Sequence, residues 1–180
     1  MNGEPREAMA EMPADSFYGD AEGRMAEQSR REFLTCRLGD EAYGIDILQV
    51  QEIREIDRVT RLPHVAGFVR GVINLRGAIV PIVDLGLMFG FAEPLPLEKA
   101  SAIVLNVDRR MVGLVVSGVS DVIALADDEV VTAPELGGRA IGAALQGIGT
   151  RRGGEGEADG QSVLLLDVDH LMRRIREERE

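Results

Sequence analysis

Residues 66–91 read AGFVRGVINLRGAIVPIVDLGLMFGF, and this stretch decides the fold. Val69, Gly71, Ile73 and Leu75 alternate with Phe68, Arg70, Val72 and Asn74, the period-2 pattern of a strand. Residues 74–77 (NLRG) predict a tight turn, in which Gly77 supplies the positive φ that a type I turn followed by a bulge requires. Residues 78–83 predict a second, almost wholly apolar strand. Pro81 has no N–H to give a neighbouring strand, so this strand is expected to lie at an edge or to carry a bulge itself. Asp84 follows as the cap of a short apolar helix over residues 85–89. The unit is strand, turn, strand, cap and helix, and it sets Arg76 at the tip of a hairpin, out in solvent.

Upstream, residues 32–38 and 42–45 predict a hairpin around Gly39-Asp40-Glu41, with Asp46 capping one helical turn. Residues 50–56 (VQEIREI) predict a charged strand with an apolar thread, and residues 59–63 lead into a loop holding His64. Downstream, a Pro-containing connector precedes strands over 102–107 and 111–117, joined by an Asp108-Arg109-Arg110 turn. Residues 119–124 continue extended until Asp127-Asp128. The Gly- and Ala-rich run 140–148 has no assignable class. Residues 151–160 (RRGGEGEADG) predict a flexible loop. Residues 162–166 predict a strand, Asp167 or Asp169 a cap, and residues 171–180 a charged helix. Gly71-Val72, Arg76 and residues 78–85 are echoed by Gly147-Ile148, Arg151 and residues 162–168. That internal repeat predicts two similar small units packed together. With few helices, the expected class is mainly β, arranged as two barrel-like subdomains that close most strand edges.

The 180 residues suffice for a sizeable core, with 45% apolar and only 4% aromatic side chains. Such a core is built from Ile, Val and Leu. The formal net charge of -11 argues against nucleic acid as a partner and against an anionic membrane surface. No run approaches the ~20 apolar residues of a membrane span, which predicts no direct membrane insertion. A single cysteine, Cys36, excludes an internal disulfide and fits a reducing compartment. The expectation is a soluble cytoplasmic protein. Residues 1–30 carry seven acidic side chains and no sustained apolar period, which predicts a flexible acidic tail, with a weak helix near 21–31.

Groups that carry chemistry are scattered. His64 and His170 stand far apart and at no ligand or triad spacing. The glycines form neither a Walker loop nor a dinucleotide fingerprint. Asp84 and Asp167 are conceivable as paired carboxylates, but each precedes a short helix, and capping explains both. Asp127-Asp128-Glu129 lacks the spacing of a calcium loop. No cofactor and no metal site is expected, and the sequence favours a binding module over an enzyme. An enzyme using Asp84 or Asp167 stands as one rival. An RNA-binding barrel stands as the other, and it lacks the basic, aromatic-rich face that role needs.

The segment FVRGVINLRGAIVPIVDL, preceded by YGIDILQVQEIREI and followed by LLLDVDHL, closely resembles the CheW chemotaxis coupling proteins over residues 31–171. The resemblance implies two intertwined five-stranded SH3-like β-barrels spanning residues 31–180, with a junction near 92–100. It implies a non-enzymatic adaptor that bridges the cytoplasmic tips of chemoreceptors (methyl-accepting chemotaxis proteins) to the regulatory domain of the CheA histidine kinase, at membrane-apposed arrays. The same module occurs inside CheA and, joined to a receiver domain, in CheV. This sequence shows no kinase motif and no receiver domain, so the free coupling protein is the expected match. A related adaptor of a non-chemotaxis pathway, for surface motility or development, is the alternative. The family's receptor-contacting positions fall on Val50, Glu52, Gly71 and Arg76, with Asn74 beside them. Arg76 offers a forked, charge-assisted contact, Glu52 a pairing with a cation, and Gly71 room for a partner's backbone. Val50 is either an exposed apolar contact or core. Tyr43 and Ile45 are the expected kinase-facing residues, as apolar loop positions at a barrel end.

Overall fold

The computed structural model describes residues 29–133, 140–151 and 160–178. The expected tail over 1–30, with its helix, and the loop over 151–160 lie almost wholly outside the described residues.

Apolar alternation builds eleven described strands in two sheets. The described residues open with β1 (Arg30–Leu38) and β2 (Glu41–Asp46), and a single 3-10 turn capped by Asp46 leads to β3 (Val50–Glu55). The deciding stretch forms β4 (Val69–Leu75), β5 (Ala78–Asp84) and α1 (Leu85–Met88). Then come β6 (Ser101–Val107), β7 (Arg110–Val116), β8 (Gly118–Ala126) and β9 (Val130–Thr132). The chain continues through α2 (Ala140–Ala143), β10 (Leu145–Thr150), β11 (Ser162–Leu166) and α3 (Val168–Glu177). The sheets are ordered β8-β1-β2-β11-β10-β9 and β3-β6-β7-β5-β4.

The two sheets repeat one plan. In each, the second strands of two hairpins pair in parallel: β5 with β7, and β11 with β2. Each hairpin has a register shift beside a glycine, at Gly71 in β4 and Gly147 in β10. Each ends in an aspartate that caps a helix: Asp84 accepts from Leu87 N–H at 3.1 Å, and Asp167 from His170 N–H at 2.9 Å. Asp167 therefore starts α3 at Val168, three residues before the expected helix.

Three expectations change. The first sheet has six strands because β9, unanticipated, adds to β10. Neither sheet closes by continuous pairing. The second is drawn together instead by Thr60, whose N–H and carbonyl both bond Val72 at 2.8 Å. The chain crosses between sheets at residues 46–50 and 116–118, while residues 92–100 join β5 to β6 inside one sheet, so the junction is not near 92–100.

Pro81 is accommodated without an edge. It lies opposite Val72, whose own polar groups turn away to Thr60, so the missing N–H faces β7. Pairing with β7 begins one residue later, at Ile82. The bulge sits in β4, the partner strand.

The largest core lies between the sheets. It joins Leu38, Tyr43 and Ile45 to Val83, Ile103, Leu105 and Leu114, with Leu171 and Ile175 of α3 packed on the same cluster. From α3, Arg174 donates to Met88 carbonyl oxygen at 3.0 Å and lies 5.7 Å from the Phe68 ring. One shared core makes the two units a single rigid body. Cys36 is buried in it, and burial pushes its thiol up to about 12, so the neutral form persists.

Candidate protein-docking face

Arg76 and Gly77 form a two-residue turn between paired Leu75 and Ala78. Both have positive φ, 50° and 88°. This is the turn whose twist matches the flanking strands, and it replaces the expected type I turn with a bulge. Asn74 Oδ1 accepts the Gly77 N–H at 2.9 Å and fixes the turn's shape. An arginine in the left-handed region costs roughly 1 kcal/mol relative to glycine. The fold therefore carries a small strain to set this guanidinium at the tip, where the side chain is 72% exposed.

Glu52 holds it there. Arg76 Nη2 lies 2.8 Å from Glu52 Oε2, and Arg54 Nη1 lies 3.8 Å from Glu52 Oε1. Glu52 is on β3 and Arg76 beside β4, the two ends of the five-strand order. The sheet curls until its first and last strands meet, and the ion pair spans that seam. A pair this exposed adds little stability, up to about 1 kcal/mol. Its effect is to orient a side chain that still offers further donors to solvent.

Gly71 is placed differently from expectation. It is buried, with φ 142°. A Cβ there would collide with the carbonyl oxygen of Thr60 and stand 2.6 Å from Val59 Cγ1. The backbone that needs this space belongs to the same chain. Val50 is half-buried and packs against the shared core while opening β3. Around the seam the structure brings together Glu52, Asn74 and Arg76 as side chains, with Gly71 beneath them as the residue that lets the seam form.

Tyr43 and Ile45 are corrected. Both lie within β2 and are 0% exposed, and Tyr43 stacks on Phe89 at 5.8 Å. Burial and the hydrogen bond to Glu41 push the Tyr43 hydroxyl up from its ordinary range. Neither residue is a surface contact. They fill the core because their face of β2 packs against Val83, Ile103, Leu105 and Leu114 of the other sheet.

Sequence reasoning missed Leu48, 90% exposed, and Ile53, 47% exposed, on either side of Val50. Strand alternation from the half-buried Val50 sets Ile53 on the outward face. A signal was present, because the run 47–56 holds more apolar residues than one buried strand face takes.

Asp84 shows no free oxygen for catalysis. Its Oδ1 caps α1, and its Oδ2 accepts from Arg70 Nη1 and Leu95 N–H, each at 2.9 Å. It is wholly buried, and Asp167 serves the other sheet.

A domain model described as CheW-like matches residues 32–176. The chain is 44% identical over 142 residues to the chemotaxis protein CheW of Klebsiella aerogenes, covering 79% of this chain and 81% of that protein. It is 29% identical over 165 residues to protein FrzA of Myxococcus xanthus, covering 85% and 93%. Its fold matches the crystal structure of the scaffolding protein TtCheW from Thermoanaerobacter tengcongensis, with a TM-score of 0.67, 25% identity, and coverage of 77% and 90%. Two SH3-like sheets built on one repeated plan, an arginine-tipped hairpin and these likenesses agree: the chain belongs to the CheW-like domain family.

Proposed function

We propose that this chain is a non-enzymatic coupling protein of chemotaxis, working in the cytoplasm at membrane-bound receptor arrays. One face docks on the cytoplasmic tip of a chemoreceptor, and another docks on the regulatory domain of the CheA histidine kinase. No bond is made or broken. A rigid two-sheet body passes a shift of the receptor to the kinase as a bias between states. The observation that carries this reading is Arg76: it is exposed, held in a strained turn, and braced by Asn74 and Glu52. Backbone strain kept at an exposed tip marks a position held for contact rather than stability. With Tyr43 and Ile45 buried, the kinase-facing surface is assigned to edge strands β8 and β9, where Val122 and Val131 are 47% and 66% exposed.

The test is a binding measurement on two variants. Arg76→Ala weakens binding to a receptor-tip fragment by roughly 1–3 kcal/mol, the range of arginine hot spots. Arg76→Gly does the same while leaving thermal stability equal or slightly higher, because glycine relieves the left-handed turn. Unchanged receptor binding in both, at matched stability, removes the docking role. The likeness to FrzA supports a second reading, the same adaptor in a chemosensory pathway other than chemotaxis. The receptor captured in that assay separates the two.

A further inference from the structure

Side chains of β5 alternate between two cores. Val80 and Ile82 face the core of the second sheet, and Val83 joins the core shared by both sheets. By the strand period, Pro81 and Ile79 continue the Val83 face, yet Ile79 is left 65% exposed. Beside α3 this uncovered face forms a groove of about 1180 Å³, with Ile79, Pro81 and Met172 among its apolar lining. Its rim carries Arg109 from the β6–β7 turn, Arg110 from the start of β7, and Arg173 and Arg176 from α3, against Asp108 and Asp169. The rim is thus net positive in a chain with 20 basic and 31 acidic residues. Among the described residues, none of these four guanidinia is paired with a carboxylate. Asp108 and Arg109 both have positive φ, 50° and 63°, so here too an arginine occupies a turn position that glycine fills more cheaply. An apolar face rimmed by charge predominantly of one sign is the signature of a docking site.

We propose that this groove docks the acidic N-terminal segment of the same chain, residues 1–28. The segment carries Glu4, Glu7, Glu11, Asp15, Asp20, Glu22 and Glu27 against Arg6 and Arg24. Seven negative charges and two positive give a net of -5, opposite a rim of four positive and two negative. Phe17 and Tyr18, with Met9 and Met12, supply apolar side chains for the groove floor. Reach is ample. Extended, 28 residues span up to ~90 Å, whereas a folded body of this size has a radius of gyration of roughly 15 Å. Tethering raises the local concentration of the segment to the millimolar range, so a weak electrostatic attraction fills the groove. Because Ala78 lines the groove and follows the Arg76-Gly77 turn, the docked segment lies next to the hairpin tip.

The experiment places a photo-reactive residue, Ile79→p-benzoylphenylalanine, in the full chain. Position 79 is exposed, so the substitution leaves the core alone. A mixture of isotope-labelled and unlabelled chains is irradiated, and the cross-linked peptides are mapped. The expected product joins position 79 to residues 1–28 of the same chain. Its yield falls several-fold in about 1 M salt, where screening shortens electrostatic reach to ~3 Å, and falls likewise in Arg109→Glu/Arg173→Glu. Should that double variant misfold, the salt arm decides alone. Cross-links to a second copy, to any other segment, or to nothing overturn the proposal, as does a yield indifferent to salt.

Discussion

Replacing Arg70 with alanine is expected to cost about 3–5 kcal/mol of folding stability, the range for removing one partner of a buried ion pair. Asp84 is 0% exposed, and among the described residues its only counter-charge is Arg70 at 2.9 Å. The same Arg70 Nη1 also donates to Leu95 carbonyl oxygen at 2.8 Å, and Leu95 N–H in turn donates to Asp84. The pair therefore ties β4, β5, the start of α1 and the connector before β6 into one knot. Without Arg70 the carboxylate stays in the interior with two backbone donors and no cation, and the Leu95 carbonyl loses its partner. Arg70→Lys restores charge but not the shared contact and lands between the two. Urea unfolding at constant m-value reads the loss. A loss below about 1 kcal/mol for the alanine variant would show that the knot is incidental.

Gly71→Ala is expected to destabilise by roughly 2–4 kcal/mol, through strain at a positive φ and a backbone collision. The collision is with Thr60, whose two hydrogen bonds to Val72 draw the second sheet's ends together. Opening that seam separates Glu52 from Arg76, so binding to a receptor tip falls along with stability. Gly71→Asp is expected to fail for the same internal reason, not because it blocks an incoming backbone. A thermal midpoint equal to that of the unsubstituted chain would contradict this and restore Gly71 as an outward contact.

The local chemistry of residues 66–91 is legible in the sequence. Alternation located β4 and β5, the Asp before each short helix located two caps, and the repeat of Gly71-Val72 in Gly147-Ile148 located the second unit. Each of these rests on interactions within a few residues. What escaped the sequence depends on sheet curvature. The meeting of Glu52 and Arg76 needs the first and last strands of an ordered sheet to approach, and no spacing encodes that. The close contact at Gly71 comes from Thr60, eleven positions away and on another segment. Tyr43 and Ile45 look like residues near a loop, but Val83, Ile103, Leu105 and Leu114 of the second sheet, roughly 40–70 residues later, cover their face of β2. Likewise, the crossing of the chain between sheets cannot be read from the Pro-containing connector, whose composition marks a loop and not a domain boundary.

In the proposed role, this chain acts by touching two partners at once through a rigid body. Co-sedimentation of a receptor-tip fragment with the CheA regulatory domain, with and without this chain, tests it most directly. The kinase domain is expected to sediment with the receptor fragment only when the chain is present, and Arg76→Gly is expected to lower that recovery in line with its weakened receptor binding while the variant still binds the kinase domain. Kinase domain recovered equally without the chain, or a fully active Arg76→Gly variant, would contradict it.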